Sequence, residues 1–402
     1  MSDLLKVVLC DDEAQKSAEW KQELEELPGM ESRFEVLVVE ADEFNRDMTT
    51  LAKRRAALRS KTQAPSTQTI FDQAAILIVD YDLYEYNPKH LFSGDSVAYL
   101  ARSFSTCGFI VGVNQDRISN PFDATLIAHT MLPTDLSIGD QHVADPGLGC
   151  SNPAEWNPFR PWSWPYLPER VESLCAKTEE LEGRLRAPLQ EILQLEESAI
   201  MAMPGKIVGP LDVPTEKHLP AVTVYDWVHK SQMGLRSGDV LGDADHQVAR
   251  VAAARLAKWL EFVLLPGQDF LVDAPHLVER RPGLLRGDTA DPAVWQAAVQ
   301  VGKEGEKGLD GNRIAGYRYG GGWLSRPVWR WRAIASDPGL DEAAEVPRPD
   351  EPLVFAEDQS RFINPEKATR FRSDVDSPFK SRWLGVPDRD VTYLPAARLT
   401  SG

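Results

Sequence analysis

The apolar positions of the first 130 residues fall into short runs separated by amphipathic stretches. Leu4 to Cys10 (LLKVVLC), Phe34 to Val39 (FEVLVV), Ile76 to Val79, Phe109 to Val113 (FIVGV) and Ala124 to Ala128 (ATLIA) are short and mostly rich in β-branched residues. Such runs predict strands buried on both faces. Residues 14–27, 42–60 and 96–105 intersperse apolar residues among charged and polar ones and predict helices, the first stopped by Pro28-Gly29. Strands alternating with helices predict an α/β domain built on a doubly wound, parallel, five-stranded sheet.

Beyond residue 132 the pattern changes. Residues 133–168 are dense in Pro, Gly, Asn and Trp, and repeated prolines argue against a regular helix or a central strand. Trp156, Phe159, Trp162, Trp164 and Tyr166 carry too much apolar area to leave in water. The expectation is an ordered strap, with a polyproline ligand for a partner as the alternative. Residues 169–202 predict one helix kinked at Pro188, packed across a domain junction or serving as a homodimer helix. A strong helix follows at Ala244 to Leu265, ended by Pro266-Gly267, with strand-like FLVDA, VWRWRAI and LVFAED downstream. The predicted division is 1–132, a strap at 133–168, a connecting helix at 169–204 and a C-terminal α+β domain at 205–402.

Composition narrows the function classes. A net charge of −17 over 402 residues disfavours nucleic acid and anionic membranes as general partners. No apolar run approaches the roughly 18 residues of a membrane span. The start of the chain lacks signal-peptide features. Four widely spaced cysteines fit no metal or disulfide framework. A cytoplasmic protein is expected.

Asp80 ends the third strand run, and open α/β sheets gather ligands beyond their strands' carboxyl ends. The plain alternative is an Asp that caps the next loop. Asp11-Asp12-Glu13 follows the first strand in the same way. Carboxylates converging at adjacent strand ends make a hard oxygen site suited to Mg²⁺.

These acidic residues, with Gly94 opening the helix after the third strand, resemble the receiver domain of bacterial response regulators, over roughly a third of the chain. The resemblance implies a flavodoxin-like fold with Asp80 as phosphoacceptor. It also implies Mg²⁺ on Asp11, Asp12, Asp80 and the Asp82 carbonyl, and a histidine kinase or phosphotransfer protein as partner. The sequence departs from the pattern at the switch. Asn114 stands where the family has Ser or Thr, and His129 and Thr130 end the fifth expected strand where it has Lys. No lysine occurs between Lys89 and Lys177. Two readings follow: a phosphorylated receiver, or a pseudo-receiver retained as a docking platform.

In the C-terminal half, Asp245-His246 with Asp269, Asp273 and His276 suggests metal-dependent hydrolysis, against plain helix capping. The segment 313–332 (RIAGYRYGGGWLSRPVWRWR) holds Arg313, Arg318, Arg326, Arg330 and Arg332 among five Tyr or Trp residues and no acid. That composition suits phosphate contact with base stacking. Strand alternation, with Trp329 and Trp331 inward and the arginines outward, is the structural alternative. The leading expectation is a non-enzymatic regulatory protein whose N-terminal domain controls the C-terminal one or a partner protein; bacterial stress and defence systems offer an analogy. The alternatives are a nucleotide-directed C-terminal enzyme or binding module, and a scaffold.

Overall fold

The computed structural model describes residues 4–27, 29–30, 32–83, 86, 92–114, 125–126, 133–140, 143, 167–201, 203, 205–208, 222–230, 245–265, 268, 270–299, 306–324, 327–341, 343, 353–356, 361–370 and 383–385. The N-terminal part is built on β1 (Leu5–Cys10), β2 (Phe34–Val38), β3 (Ala74–Asp80), β4 (Phe109–Asn114), β5 (Thr125–Leu126) and β6 (Leu136–Gly139). Five of them form a parallel sheet in the order β2-β1-β3-β4-β6, flavodoxin-like in kind. The helices between them are α1 (Ala14–Glu25), α2 (Ala41–Ser60) and α3 (Gly94–Phe104), all within the predicted stretches to two residues.

The fifth parallel strand is a correction. The run at 124–128 yields only the two-residue β5, an antiparallel edge on β6. The parallel strand beside β4 is Leu136–Gly139, inside the segment expected to exclude a central strand. Its prolines fall outside the strand itself, so they do not interrupt the ladder. Leu136 and Ile138 are buried, and full burial of such a side chain contributes roughly 1.5–3 kcal/mol. The aromatic residues of the expected strap lie outside the described residues.

Strand alternation sends side chains to two cores. On one face Val8, Leu77, Val79 and Ile110 pack against Phe44, Met48 and Leu51 of α2 and Val97, Ala101 and Phe104 of α3. On the other, Val7, Leu9, Ile76, Ile78, Val111 and Ile138 join Trp20 and Leu24 of α1. Two later helices complete that face, α4 (Leu167–Glu182) through Val171, Leu174 and Leu181, and α6 (Asp245–Trp259) through Val248, Val251 and Leu256. Elements from beyond the strap therefore share the core of the N-terminal sheet.

The single helix expected over 169–202 is divided. It ends at Glu182, and Pro188 caps the short α5 (Leu189–Leu193), because a proline lacking N–H suits a helix start and not its interior. α6 matches its prediction and runs into a π turn at Leu260–Leu264. The remainder mixes helix and strand: β7 (Leu271–Asp273) pairs with β8 (Val328–Arg330), and β9 (Val354–Ala356), β10 (Arg361–Ile363), β11 (Ala368–Arg370) and β12 (Trp383–Gly385) form a small sheet.

Candidate functional site

β1 and β3 are adjacent and parallel, with Cys10 opposite Val79. The next residue of each chain, Asp11 and Asp80, therefore emerges side by side at the carboxyl edge of the sheet. Asp11, Asp12 and Asp80 each bring an oxygen within 4.8 Å of the other two. Asp11 and Asp80 are buried and Asp12 is partly exposed.

Local hydrogen bonds fix this arrangement. The Glu13 N–H donates to Asp11 Oδ1 at 2.8 Å, and Ser17 Oγ donates to the Asp11 carbonyl at 3.1 Å. The Asp82 N–H donates to Asp80 Oδ2 at 3.1 Å, while Asp82 bridges Ser93 as the chain returns. A Cβ on Gly94 would lie 2.2 Å from the Asp80 carbonyl oxygen, so only glycine lets α3 start against this strand end. Tyr86, in the insertion between Asp82 and Gly94, stacks on Phe44 and donates to the Val39 carbonyl at 2.6 Å.

The electrostatics are unbalanced. Burial, then the charge of Asp11, pushes the Asp80 carboxyl up to about 7. Burial pushes Asp11 up to about 6, with Asp12 and Glu13 adding to it against the Glu13 hydrogen bond. Asp11 Oδ2 is buried with no hydrogen-bond partner. A buried carboxylate oxygen without a donor, beside two further carboxylates, fits a hard divalent cation such as Mg²⁺.

The nearby cation comes from an unexpected place. Asp140 follows the fifth parallel strand, and Lys16 of α1 reaches it, Nζ to Oδ2 being 2.8 Å. Burial opposes the Lys16 charge, but the Asp140 hydrogen bond and the fields of Asp140, Asp11 and Asp80 prevail and raise its pKa. Lys16 carries a weak sequence signal, as the first lysine after the acidic run. Asp140 carries none without the strand assignment.

A polar chain leads away from the pocket. Tyr81, next to Asp80, lays its ring against Gly112 and shares a 3.1 Å hydrogen bond with Ser137 Oγ. Ser137 lies 3.3 Å from Thr134 Oγ1, and the Thr134 carbonyl accepts from Lys258 Nζ of α6 at 2.6 Å.

The other predicted residues are dispersed. Asn114 ends β4, one residue beyond the Val113 that pairs with Asp80; its side chain, like His129 and Thr130, lies outside the described residues. His246 contacts Glu182 at 2.9 Å on the surface, whereas Asp273 caps α7 (Ala274–Arg280) with His276 Nδ1 2.5 Å from its carboxylate. Asp269 lies outside the described residues, among which the only acidic cluster whose ligand atoms lie close enough together to hold a metal ion is Asp11, Asp12 and Asp80. Arg313 donates to the Gly339 carbonyl and Arg318 pairs with Glu306 at 2.7 Å. Arg330 and Arg332 line one groove, and Arg326 is outside the described residues. Trp323 and Trp329 are buried. Trp331 starts a helix, which ends the expected strand alternation at Arg330.

Among the described residues no helix is long and apolar enough to cross a membrane. No protein-family model, curated protein or solved structure matches the chain.

Proposed function

We propose that this chain is a receiver-like regulatory protein that accepts a phosphoryl group on Asp80 and passes its state to the C-terminal part or to a partner protein. The observation that carries the reading is the meeting of Asp11, Asp12 and Asp80 at adjacent strand ends, with Asp11 Oδ2 buried and lacking a donor. Mg²⁺ would be held by these three carboxylates and the Asp82 carbonyl, and when bound supplies the charge that offsets carboxylate and phosphoryl oxygens.

The chain's own residues do the rest. An ionised Asp80 oxygen attacks the phosphorus of a phosphohistidine or acyl phosphate. The new O–P bond forms as the donor's P–N or P–O bond breaks, and the bonding pair leaves with the donor. Lys16, anchored on Asp140, is a cation that feels the fields of Asp11 and Asp80 and so can offset the charge gained. Tyr81, Ser137, Thr134 and Lys258 form a route by which a shift beside Asp80 reaches α6.

The test is incubation of the full chain with Mg²⁺ and acetyl phosphate, followed by intact mass, beside thermal shifts with Mg²⁺ and beryllium fluoride. The expected result is one phosphoryl adduct and a Mg²⁺-dependent stabilisation, both lost in Asp80→Asn. Neither adduct nor shift in the wild type would sink the proposal. A pseudo-receiver docking platform would then stand, a reading favoured by Asp140, an acid where the resemblance calls for lysine.

A further inference from the structure

A second polar concavity lies in the C-terminal part, where α5 meets the β7–β8 pair. It is a groove of about 230 Å³. Arg330 and Arg332 line it with Gln194, Glu196, Ser198 and Ser336, while Phe270 and Leu271 supply an apolar wall. Arg330 and Arg332 are two residues apart, one ending β8 and the other in the first turn of the following helix, so the strand-to-helix junction brings both to the lining of one cavity.

The surroundings hold Arg330 without neutralising it. Its guanidinium donates to the Gln194 carbonyl at 3.3 Å and lies 6.0 Å from the Tyr319 ring centre. Among the described residues no carboxylate pairs with it. Gln194 presents that carbonyl from a left-handed backbone, with φ of 50°, a conformation usually left to glycine or asparagine. In a chain of net charge −17, two arginines and one glutamate line this small cavity.

We infer that this groove binds a small phosphate monoester. A phosphate offers three acceptor oxygens, which matches two guanidinium forks and the hydroxyl of Ser198 better than a two-oxygen carboxylate does. Glu196 is placed to accept from a hydroxyl or amine on the ligand body, and Phe270 to pack against its apolar side. The volume suits a phosphate with a sugar-sized body and is below that of a typical drug-sized pocket, roughly 300 Å³ or more. The site is separate in residues from the acidic pocket, so it stands whether or not Asp80 is phosphorylated.

The test uses the full chain with four probes: inorganic phosphate, pyrophosphate, ribose 5-phosphate and AMP. Free ribose, citrate and sulfate at matched ionic strength are controls. Saturable calorimetric binding and thermal stabilisation by a phosphate monoester are expected, with none from ribose or citrate. The double variant Arg330→Gln/Arg332→Gln should weaken binding by about ten-fold or more, and Arg313→Gln, outside the groove, should leave it unchanged. Should the double variant fail to fold, Ala333→Glu places a carboxylate on the groove wall and should abolish binding by itself. No saturable response to any phosphate probe, equal response to sulfate or citrate, or unchanged binding in a folded groove variant would overturn the inference.

Discussion

The two ends of α3 hold buried charge of opposite sign in opposite ways. At its start, Asp11, Asp12 and Asp80 crowd together, and Asp11 Oδ2 has no donor. At its end, Arg102 pairs with Asp135 and donates to the Gly108 carbonyl, and Asp135 also accepts from the Ile110 N–H. Arg250 of α6 donates to the carbonyls of Arg102, Ser105 and Cys107, and Gln247 adds bonds to Arg102 and Ser103. These groups cap the last turn of α3, where carbonyls lack helical partners. Burial, then repulsion from Arg102, still lowers Arg250 to about 9. The cations are therefore buried but saturated with acceptors, which makes them a fastening between α6 and the sheet. At the acidic end Asp11 and Asp80 are buried side by side and Asp11 Oδ2 has no donor, as expected where stability yields to ligand binding.

Breaking the fastening has the largest expected effect. Arg250→Leu removes one donor from each of three carbonyls, of which that of Arg102 keeps Gln247, and should cost about 3–5 kcal/mol in urea unfolding. Mg²⁺ affinity of the folded fraction should stay near that of the wild type. A loss under about 1 kcal/mol would mean that water replaces the guanidinium and the two ends of α3 differ less than argued.

The acidic end should respond with the opposite sign. Asp80 has a folded pKa of about 7, raised from 3.8. Its favourable contribution is fully present below the unfolded value and is lost as pH rises through about 7. Without Mg²⁺, Asp80→Asn should therefore stabilise the protein by on the order of 1–3 kcal/mol at pH 8 and by almost nothing near pH 4. Added Mg²⁺ should stabilise the wild type more at pH 8 than at pH 5.5, because protons compete for the same oxygens. Chemical denaturation across pH, with and without Mg²⁺, reads both. A destabilised Asp80→Asn at pH 8 would make Asp80 a structural acid like Asp135.

What the sequence makes legible divides along the same line. β1 to β4 and their helices could be read because each apolar run is long and decisive in period, and Asp11, Asp12 and Asp80 followed as strand ends. The fifth strand could not. Leu136–Gly139 is four residues with a serine inside it, whereas ATLIA is longer and more apolar yet supplies only an edge. Serine fits there because it faces Tyr81 across Gly112, a pairing visible only once the strands are side by side. Composition does not divide the arginine-rich segment: Arg313 and Arg318 face different partners, while the strand end and the helix start at Trp331 bring Arg330 and Arg332 to one groove. Arg250 and Lys258 were hidden in the apolar face of α6, since periodicity cannot show which carbonyls a buried cation will meet.

The smallest expected effect is the sharpest probe of the acidic end. Lys16 and Asp140 are partly exposed, so either substitution should change stability by less than about 1 kcal/mol. Their effects on ligands should nevertheless be opposite. Lys16→Met removes a cation beside the pocket and should tighten Mg²⁺ binding by about three- to ten-fold while slowing labelling by acetyl phosphate. Asp140→Asn releases Lys16 from its anchor toward Asp11 and Asp80, and should weaken Mg²⁺ binding by a similar factor without slowing labelling. Titration of Mg²⁺ and the rate of phosphoryl incorporation separate the two variants. If both shift Mg²⁺ affinity in the same direction, Lys16 belongs to Asp140 alone, and the role proposed for it in phosphoryl transfer to Asp80 falls.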